Sequence, residues 1–479
     1  MKNLQINQYR WPSITSARAC KLLYVPVLIF FLTTCSDFVE VDLPKNQLTS
    51  EQVFETKETA EAALRGIYGK MRDDGLLSGS FNGLGYLMGL YTDELDLYAL
   101  SSTGEAYRDH ALLATDPIAL GLWNSTYNQI YMANDVIEGV GNSVSLASED
   151  RDQFKGEALF IRAYLHLLLV ELYGDIPYIT TTDYITNTGV ARMPKTLVYN
   201  QIIADLILAK DLLPDEDISI GGEKVRPYAA VADAVLARAY LYTEQWALAE
   251  AASNRVITEF GVLEPVLNNV FLKDAPGTIW QFKPNSDGDN TSEGSISIFT
   301  SGPPLTFALS NSLVNAFEAG TFIQPGDQRK VHWTKRINNS IGIWYHAFKY
   351  KQRENTGTSV EYSIQLRLAE QYLIRAEARV QLGDVPGAQQ DINSIRNRAG
   401  LGNTTATSVD AVLNAILQER RVELFAEHGH RWFDLKRMGR AAEVLAPIKP
   451  GWRATDLLLP IPEAELLLNP NLLPQNDGY

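Results

Sequence analysis

Glu419, Glu423 and Glu427 follow one another at four-residue intervals, Arg420, Arg421 and Arg431 lie among them, and His428 and His430 close the series. Acids and imidazoles this dense are what proton transfer or metal binding would require. Carboxylates four apart on a helical face repel unless cations intervene. The three arginines can intervene, so the stretch reads as a buried ion-pair network tying helices together rather than a catalytic pair. His428 and His430 flank Gly429 at a spacing that does not share a helical face, with no third histidine near, so zinc is not expected. Asp93, Glu94 and Asp96 form another acid cluster, but a glycosidase needs a fixed carboxylate separation across a sugar, which a sequence does not supply. The segment 286–293, Ser-Asp-Gly-Asp-Asn-Thr-Ser-Glu, offers hard oxygen ligands. It misses the EF-hand spacing for calcium and reads as a solvated turn. With no G-x-S-x-G, H-E-x-x-H or Walker loop, no catalytic residue, metal or cofactor is expected.

Binding chemistry remains. Sugars offer C–H patches that pack on aromatic rings and hydroxyls that pair with planar Arg, Asn and Asp side chains. Two long non-helical regions, 73–118 and 265–360, are rich in Gly, Ser, Asn and aromatic residues, and loops this long are usually functional. The candidates are Asn82, Tyr98, Tyr107 and Arg108 in the first, and Phe299, Phe307, Trp333 and Trp344 in the second. Burial competes with ligand contact at each, since Tyr and Trp are highly buried on average. Trp123, Tyr127 and Tyr131 fall at helical spacing and read as core, while Trp280 and Trp344 sit in strand-like alternation.

The N-terminus sets the compartment. Lys2, Arg10, Arg18 and Lys21 precede an apolar run from Leu22 to Leu32, and no acid occurs before Asp37. Such a run is too short for a membrane span and has the layout of a signal peptide. It closes on Leu32-Thr33-Thr34-Cys35, as a bacterial lipobox does. Cys35 is therefore the expected lipidated residue, holding residues 35–479 to a membrane through acyl chains. Removing residues 1–34 takes away four positive charges and moves the formal charge from −15 to −19. A nucleic-acid partner is thereby disfavoured. The two cysteines are Cys20 and Cys35, which leaves the body of the chain no disulfide and no cysteine nucleophile.

The elements that must position the candidates are helical. Glu157, Asp233 and Glu370 each precede an Arg-Ala pair by the same interval, giving Arg162-Ala163, Arg238-Ala239 and Arg375-Ala376. Two of these extend into helix-turn-helix units, with Ala237, Tyr240, Trp246 and Ala249 matched by Ala376, Arg379, Val385 and Ala388. Small residues at those spacings let two antiparallel helices approach, as in a tetratricopeptide repeat. The pattern predicts helices at 229–243, 246–258, 367–381 and 385–398, with others at 57–72, 122–140, 150–173, 197–212 and 409–427. The expected fold is a mostly α, single compact unit of about four such pairs, with long loop-rich inserts and minor β structure. Residues 1–34 are assigned to the signal, 35–220 to an N-terminal region and 221–479 to a C-terminal region.

Several stretches carry a resemblance. Arg367-Leu368-Ala369-Glu370 with Ala376-Glu377-Ala378, Ile392-Asn393, and Ile395-Arg396-Asn397-Arg398-Ala399-Gly400-Leu401 resemble the SusD/RagB family of Bacteroidetes outer-membrane lipoproteins. So do Glu419-Arg420-Arg421-Val422-Glu423-Leu424 with Glu427, Gly429, Arg431-Trp432, Asp434-Leu435 and Arg437, and the closing Pro460-Ile461-Pro462 to Gly478-Tyr479, where Asp477 replaces the usual Pro. The acidic run Ser36 to Asp42 is similar to the surface-export signal of such lipoproteins. The resemblance implies a cell-surface lid over a SusC-like TonB-dependent outer-membrane transporter, to which it passes an oligosaccharide or polysaccharide. A peptide-binding lid is the alternative, and a surface glycoside hydrolase a distant one. Family binding residues follow no shared motif, so the candidates rest on region and chemistry alone.

Overall fold

The computed structural model describes residues 50–99, 102–322 and 325–479. The expected signal peptide and Cys35 lie outside the described residues. Its main helices are α1 (Lys57–Asp73), α2 (Leu84–Tyr91), α3 (Pro117–Asn142), α4 (Ser148–Tyr173), α5 (Lys195–Leu212), α6 (Ala229–Tyr242), α7 (Trp246–Phe260), α8 (Leu368–Gln381), α9 (Val385–Arg398), α10 (Val409–Glu423) and α11 (His430–Arg437). Among the described residues six strands, β1 (Leu95–Leu97), β2 (Thr278–Phe282), β3 (Phe307–Leu309), β4 (Thr334–Asn338), β5 (Ile343–Ala347) and β6 (Ser363–Arg367), form three antiparallel ribbons, β1 with β3, β2 with β6 and β4 with β5.

The helix bounds follow from local chemistry. Asp116 caps α3 by accepting from the Ile118 and Ala119 N–H groups, with Pro117 at the first helical position, where its missing donor costs nothing. Thr56, Asp384 and Ser408 cap α1, α9 and α10 in the same way. Gly174, at φ 74°, ends α4. From Gly156 to Tyr173 every residue of α4 is buried, as befits a helix with neighbours on all sides. Helices pack in chain order, α1 on α3, α3 on α4, α4 on α5, α5 on α6, α6 on α7, α7 on α8 and α8 on α9, with α10 closing on α8 and α9. Residues Ser50–Tyr479 make one compact unit, and the expected mostly helical scaffold of paired helices is what the structure has. The first long insert is not free of helix, however. It contains α2, a short, almost wholly buried segment disguised in the sequence by Gly83 at its N-cap and by Gly85 and Gly89 within it.

The recurring acid and Arg-Ala positions tie the helices to one another. Arg162 of α4 makes a two-pronged pair with Asp205 of α5, both contacts at 2.8 Å. Asp233 of α6 accepts from Arg255 of α7, and Asp391 of α9 accepts from Arg375 of α8. Arg238 of α6 instead reaches Glu370 of α8, with both contacts at 2.7 Å. Between these ties the alanines at the close approaches, Ala237, Ala249, Ala376 and Ala388, are fully buried.

The expected carboxylate network exists, but its cations are others. Glu423 is fully buried and contacts Arg329 at 3.0 Å, Arg367 at 2.6 Å and Arg398 at 2.5 Å. Glu419 pairs with Arg329, and Glu427, beyond the end of α10, with Arg367 and Lys349. Arg420 turns to Asp434, whereas Arg421 and Arg431 both go to Asp93. The reason is directional: neighbours on one helix point away from each other's carboxylates, so the counter-charges come from other segments. Burial alone would push the Glu423 carboxyl up, yet Arg398, Arg367 and Arg329 outweigh it and hold it far below the usual carboxylate range. Glu427 behaves alike, with Arg367 and Lys349 overcoming burial to bring it down to about 2. At Glu419 burial wins over Arg329, and the pKa rises.

Two outcomes follow. Ala388→Leu forces a large side chain into the α8–α9 contact and should cost ~1–3 kcal/mol in denaturant melts; unchanged stability would refute the close-packing assignment. Because Glu423 and Glu427 have folded pKa values below their unfolded ones, their stabilisation is full above pH ~4.3 and disappears as the pH falls through the folded values. The melting temperature should therefore drop steeply below pH ~4. Glu423→Gln should flatten that slope and cost ~3–5 kcal/mol at neutral pH.

Candidate functional site

The two long inserts meet at the β1–β3 ribbon, where Leu95 faces Leu309 and Leu97 faces Phe307. The junction is fastened beyond its ladder. The Tyr98 and Ala99 N–H groups both donate to Thr306 O, Ser310 N donates to Glu94 O, and Ser310 Oγ donates to Asp93 O. Asp93 is in turn gripped by Arg421 of α10 and Arg431 of α11, and both arginines keep its carboxyl low against the opposing effect of burial. The ribbon is thereby bolted to the helical scaffold.

Aromatic rings gather on this ribbon. Phe81, Tyr86 and Phe307 stand edge to face, with centroids 5.1 Å apart for Phe81–Tyr86 and 5.0 Å for Tyr86–Phe307. Phe307 is buried beneath, whereas Phe81 and Tyr98 are each 39% exposed. Burial pushes the Tyr86 phenol up to about 12, so it stays a neutral donor. Tyr98 is raised by partial burial and by Asp96, with Trp344 close enough to its oxygen to act in the opposite sense. The Trp344 indole lies between two glycines: a Cβ at Gly302 would come within 2.2 Å of the ring and one at Gly342 within 3.0 Å. No other residue lets backbone approach a ring so closely. Asn339 Nδ2 fixes the first of these by donating to Gly302 O at 2.6 Å. Asn82, next to Phe81, has an exposed amide.

The candidates therefore divide. Tyr98, Phe307 and Trp344 come together, with Asn82 beside Phe81, and the structure adds Phe81 and Tyr86. These two escape a reading of single residues, although their spacing around Gly83 and Gly85 in an aromatic-bearing loop is the available signal. Phe299 is half-buried, edge-on to His346 at 5.0 Å. Arg108 is occupied by Asp109 through contacts at 2.7 and 2.6 Å. Tyr107 is fully buried against Tyr91 and offers no ring face to a ligand. Trp333 is corrected most sharply. It is fully buried, its indole N–H donates to Leu267 O at 2.8 Å, and Lys349, Arg367 and Arg398 lie 5.3, 6.0 and 5.5 Å from its ring centroid. It packs the cations of the Glu423 network and belongs to the core.

Glu94, His428 and His430 sit in the core. Glu94 is buried, and its carboxyl is raised to about 7 by desolvation, partly offset by the Ala426 N–H it accepts. His428 Nε2–H donates to Ile364 O at 2.8 Å, and burial lowers both His428 and His430. In the 286–293 segment Asp289 accepts from Asn355, Thr291 caps Gly294, and Glu293 accepts from Ser363. Among the described residues no group of three or more His, Cys, Asp and Glu side chains could hold a metal ion, and no helix is long and apolar enough to cross a membrane.

Fold and site together define a class: a scaffold of paired helices that carries aromatic rings on inserts joined by a short ribbon. The comparisons bear out the fold. Residues 248–479 match the family model described as the SusD family, and residues 86–241 match a second one, described as starch-binding associating with outer membrane. Among relatives, SusD-like protein P2 of Formosa agariphila is 28% identical over 95% of this chain and 98% of its own, and SusD-like protein P38 of the same organism is 24% identical over 94% and 96%. A solved SusD superfamily protein from Bacteroides vulgatus superposes with a TM-score of 0.75 at 20% identity, covering 89% of this chain and all of that one. A laminarin-binding SusD-like protein superposes with a TM-score of 0.74 at 23% identity over 89% of this chain and 100% of its own. The chain belongs to the SusD/RagB family, whose members are carbohydrate-binding proteins associated with the outer membrane.

Trp333→Ala separates packing from binding. Loss of a fully buried indole should cost ~3–5 kcal/mol in denaturant melts and leave the affinity of the remaining folded protein unchanged. A stable variant with weakened ligand binding would return Trp333 to the site.

Proposed function

We propose that this protein binds an oligosaccharide or polysaccharide on the cell surface and delivers it to a SusC-like TonB-dependent outer-membrane transporter, without cleaving it. The observation that carries the reading is the exposed Tyr98 ring beside the glycine-clasped Trp344 and the Phe81–Tyr86–Phe307 group. Tyr98 and Phe81 present ring faces of the kind that pack on sugar C–H patches, backed by the buried Trp344 and Phe307 and held on a loop-borne ribbon with Asn82 nearby for hydroxyls. Lipidation at Cys35 would anchor the protein, and the inserts, rather than the helical pairs, would face the ligand. At the ribbon, both oxygens of Asp93 are committed to arginines, which supports binding over hydrolysis at that carboxylate.

Calorimetry of the purified protein against laminarin, starch and xylan oligosaccharides tests this, with a peptide mixture as the competing class. Tyr98→Ala should weaken the bound glycan by ~0.5–3 kcal/mol and leave the melting temperature within a degree or two, since a partly exposed ring contributes little to the core. Binding of peptides alone would favour the peptide-binding lid. Glycan breakdown seen by chromatography with pure protein, and lost on substituting a carboxylate, would establish an enzyme.

A further inference from the structure

A second concave surface shares no residue with the insert ribbon. It is a cleft of about 550 Å³ between α3, residues 177–188 and residues 465–472, within the ~300–1,000 Å³ range of small-ligand sites. Its α3 wall carries Asn124, Tyr127, Asn128 and Tyr131, positions that recur at three and four residues and share one helical face. Asn124, Asn128 and Tyr131 are exposed, Tyr131 by 46%, and Tyr184 on the opposite wall is 72% exposed. Tyr131, expected in the core, is thus a surface ring. Eight residues along a helix from Trp123 it has rotated by ~80° from that buried indole.

The walls are stiff where they need no freedom. Tyr127 Oη donates to Pro177 O at 2.9 Å, Asn187 Nδ2 to Thr181 O at 2.8 Å, and Asn469 Nδ2 to Val190 O at 2.8 Å. The Asn124 and Asn128 amides, in contrast, are not engaged by any described residue. Each keeps two donors and an acceptor for a ligand. Glu465 is the one charged side chain among the described residues of the lining, and burial raises its pKa. The cleft thus offers ring faces and neutral amides, and the described residues of its lining include no cation to attract a carboxylate, phosphate or sulfate. A polyhydroxylated, uncharged ring with apolar C–H faces meets all three conditions.

We propose that this cleft is a second saccharide-binding subsite, taking a neutral pyranose unit between Tyr131 and Tyr184 with its hydroxyls paired to Asn124 and Asn128. The inference rests on the glycan-binding reading above. A long chain could engage both surfaces, whereas a short oligosaccharide would occupy them separately.

The test uses the purified protein and variants Tyr98→Ala, Asn128→Ala/Tyr131→Ala and their combination, with thermal melts to establish that each is folded. Calorimetry with laminarin-, starch- and xylan-derived tetrasaccharides should give two sites in the parent, of which each variant removes one, and the combination should abolish binding. With intact polysaccharide, Asn128→Ala/Tyr131→Ala should weaken retention in glycan-containing native gels about 3- to 10-fold, the stacking contribution of one ring. If Tyr98→Ala alone abolishes binding and the cleft variant matches the parent, the subsite is refuted and the ribbon reading stands. If only the cleft variant loses binding, the subsite stands and the ribbon reading falls. A parent that binds no neutral glycan overturns both.

Discussion

Glu423 is the point on which this structure turns. One carboxylate with no exposed surface holds three guanidiniums, from Arg329 in the second insert, Arg367 at the junction of β6 and α8, and Arg398 at the end of α9. Removing a buried charge from water is costly, and only close opposite charges with complete hydrogen bonding repay it. Here that demand is met by segments far apart in sequence, so the burial of Glu423 and the placement of the second insert are one event. Lys349 and Trp333 extend the arrangement: the lysine donates to Glu427 and to the Glu423 and Phe425 carbonyls, while the indole covers the cations.

A parallel clamp acts on the first insert. Asp93 takes Arg421 and Arg431 from the same C-terminal stretch that supplies Glu423 and Glu427. Residues 419–431 thus grip both inserts, one through carboxylates and one through guanidiniums. The β1–β3 ribbon closes the loop between them. Long inserts would ordinarily be entropically expensive to order. Anchoring each near its middle to the scaffold leaves only short spans to be fixed by weaker contacts.

Periodic features were legible in the sequence, and non-local ones were not. The helices expected at 229–243, 246–258, 367–381 and 385–398 appear as Ala229–Tyr242, Trp246–Phe260, Leu368–Gln381 and Val385–Arg398, because apolar spacing and capping residues are local. That Glu419, Glu423 and Glu427 form a buried network was readable from their spacing. Its partners were not, since Arg329 and Arg367 lie 94 and 56 residues from Glu423. Trp333 was misread for the same reason: between Lys330, His332, Lys335 and Arg336 it looks like a surface ring, and only the remote carboxylates explain the burial of Arg329. That Tyr98 and Trp344 lie side by side was not legible, since they come from different inserts and one of the glycines that close on the indole, Gly302, is 42 residues from it.

The glycine clasp on Trp344 separates what a ligand sees from what the chain must keep. The indole is buried where the backbone at Gly302 and Gly342 closes on it, with Tyr98 at its edge. Residues around it, such as Leu305 at 91% exposed and Ile343 at 54%, are free to drift without moving the plate. Surface substitutions of that kind usually shift stability by less than ~0.5 kcal/mol. Selection can therefore change this exposed rim one residue at a time, with the fold bearing almost none of the mutational load.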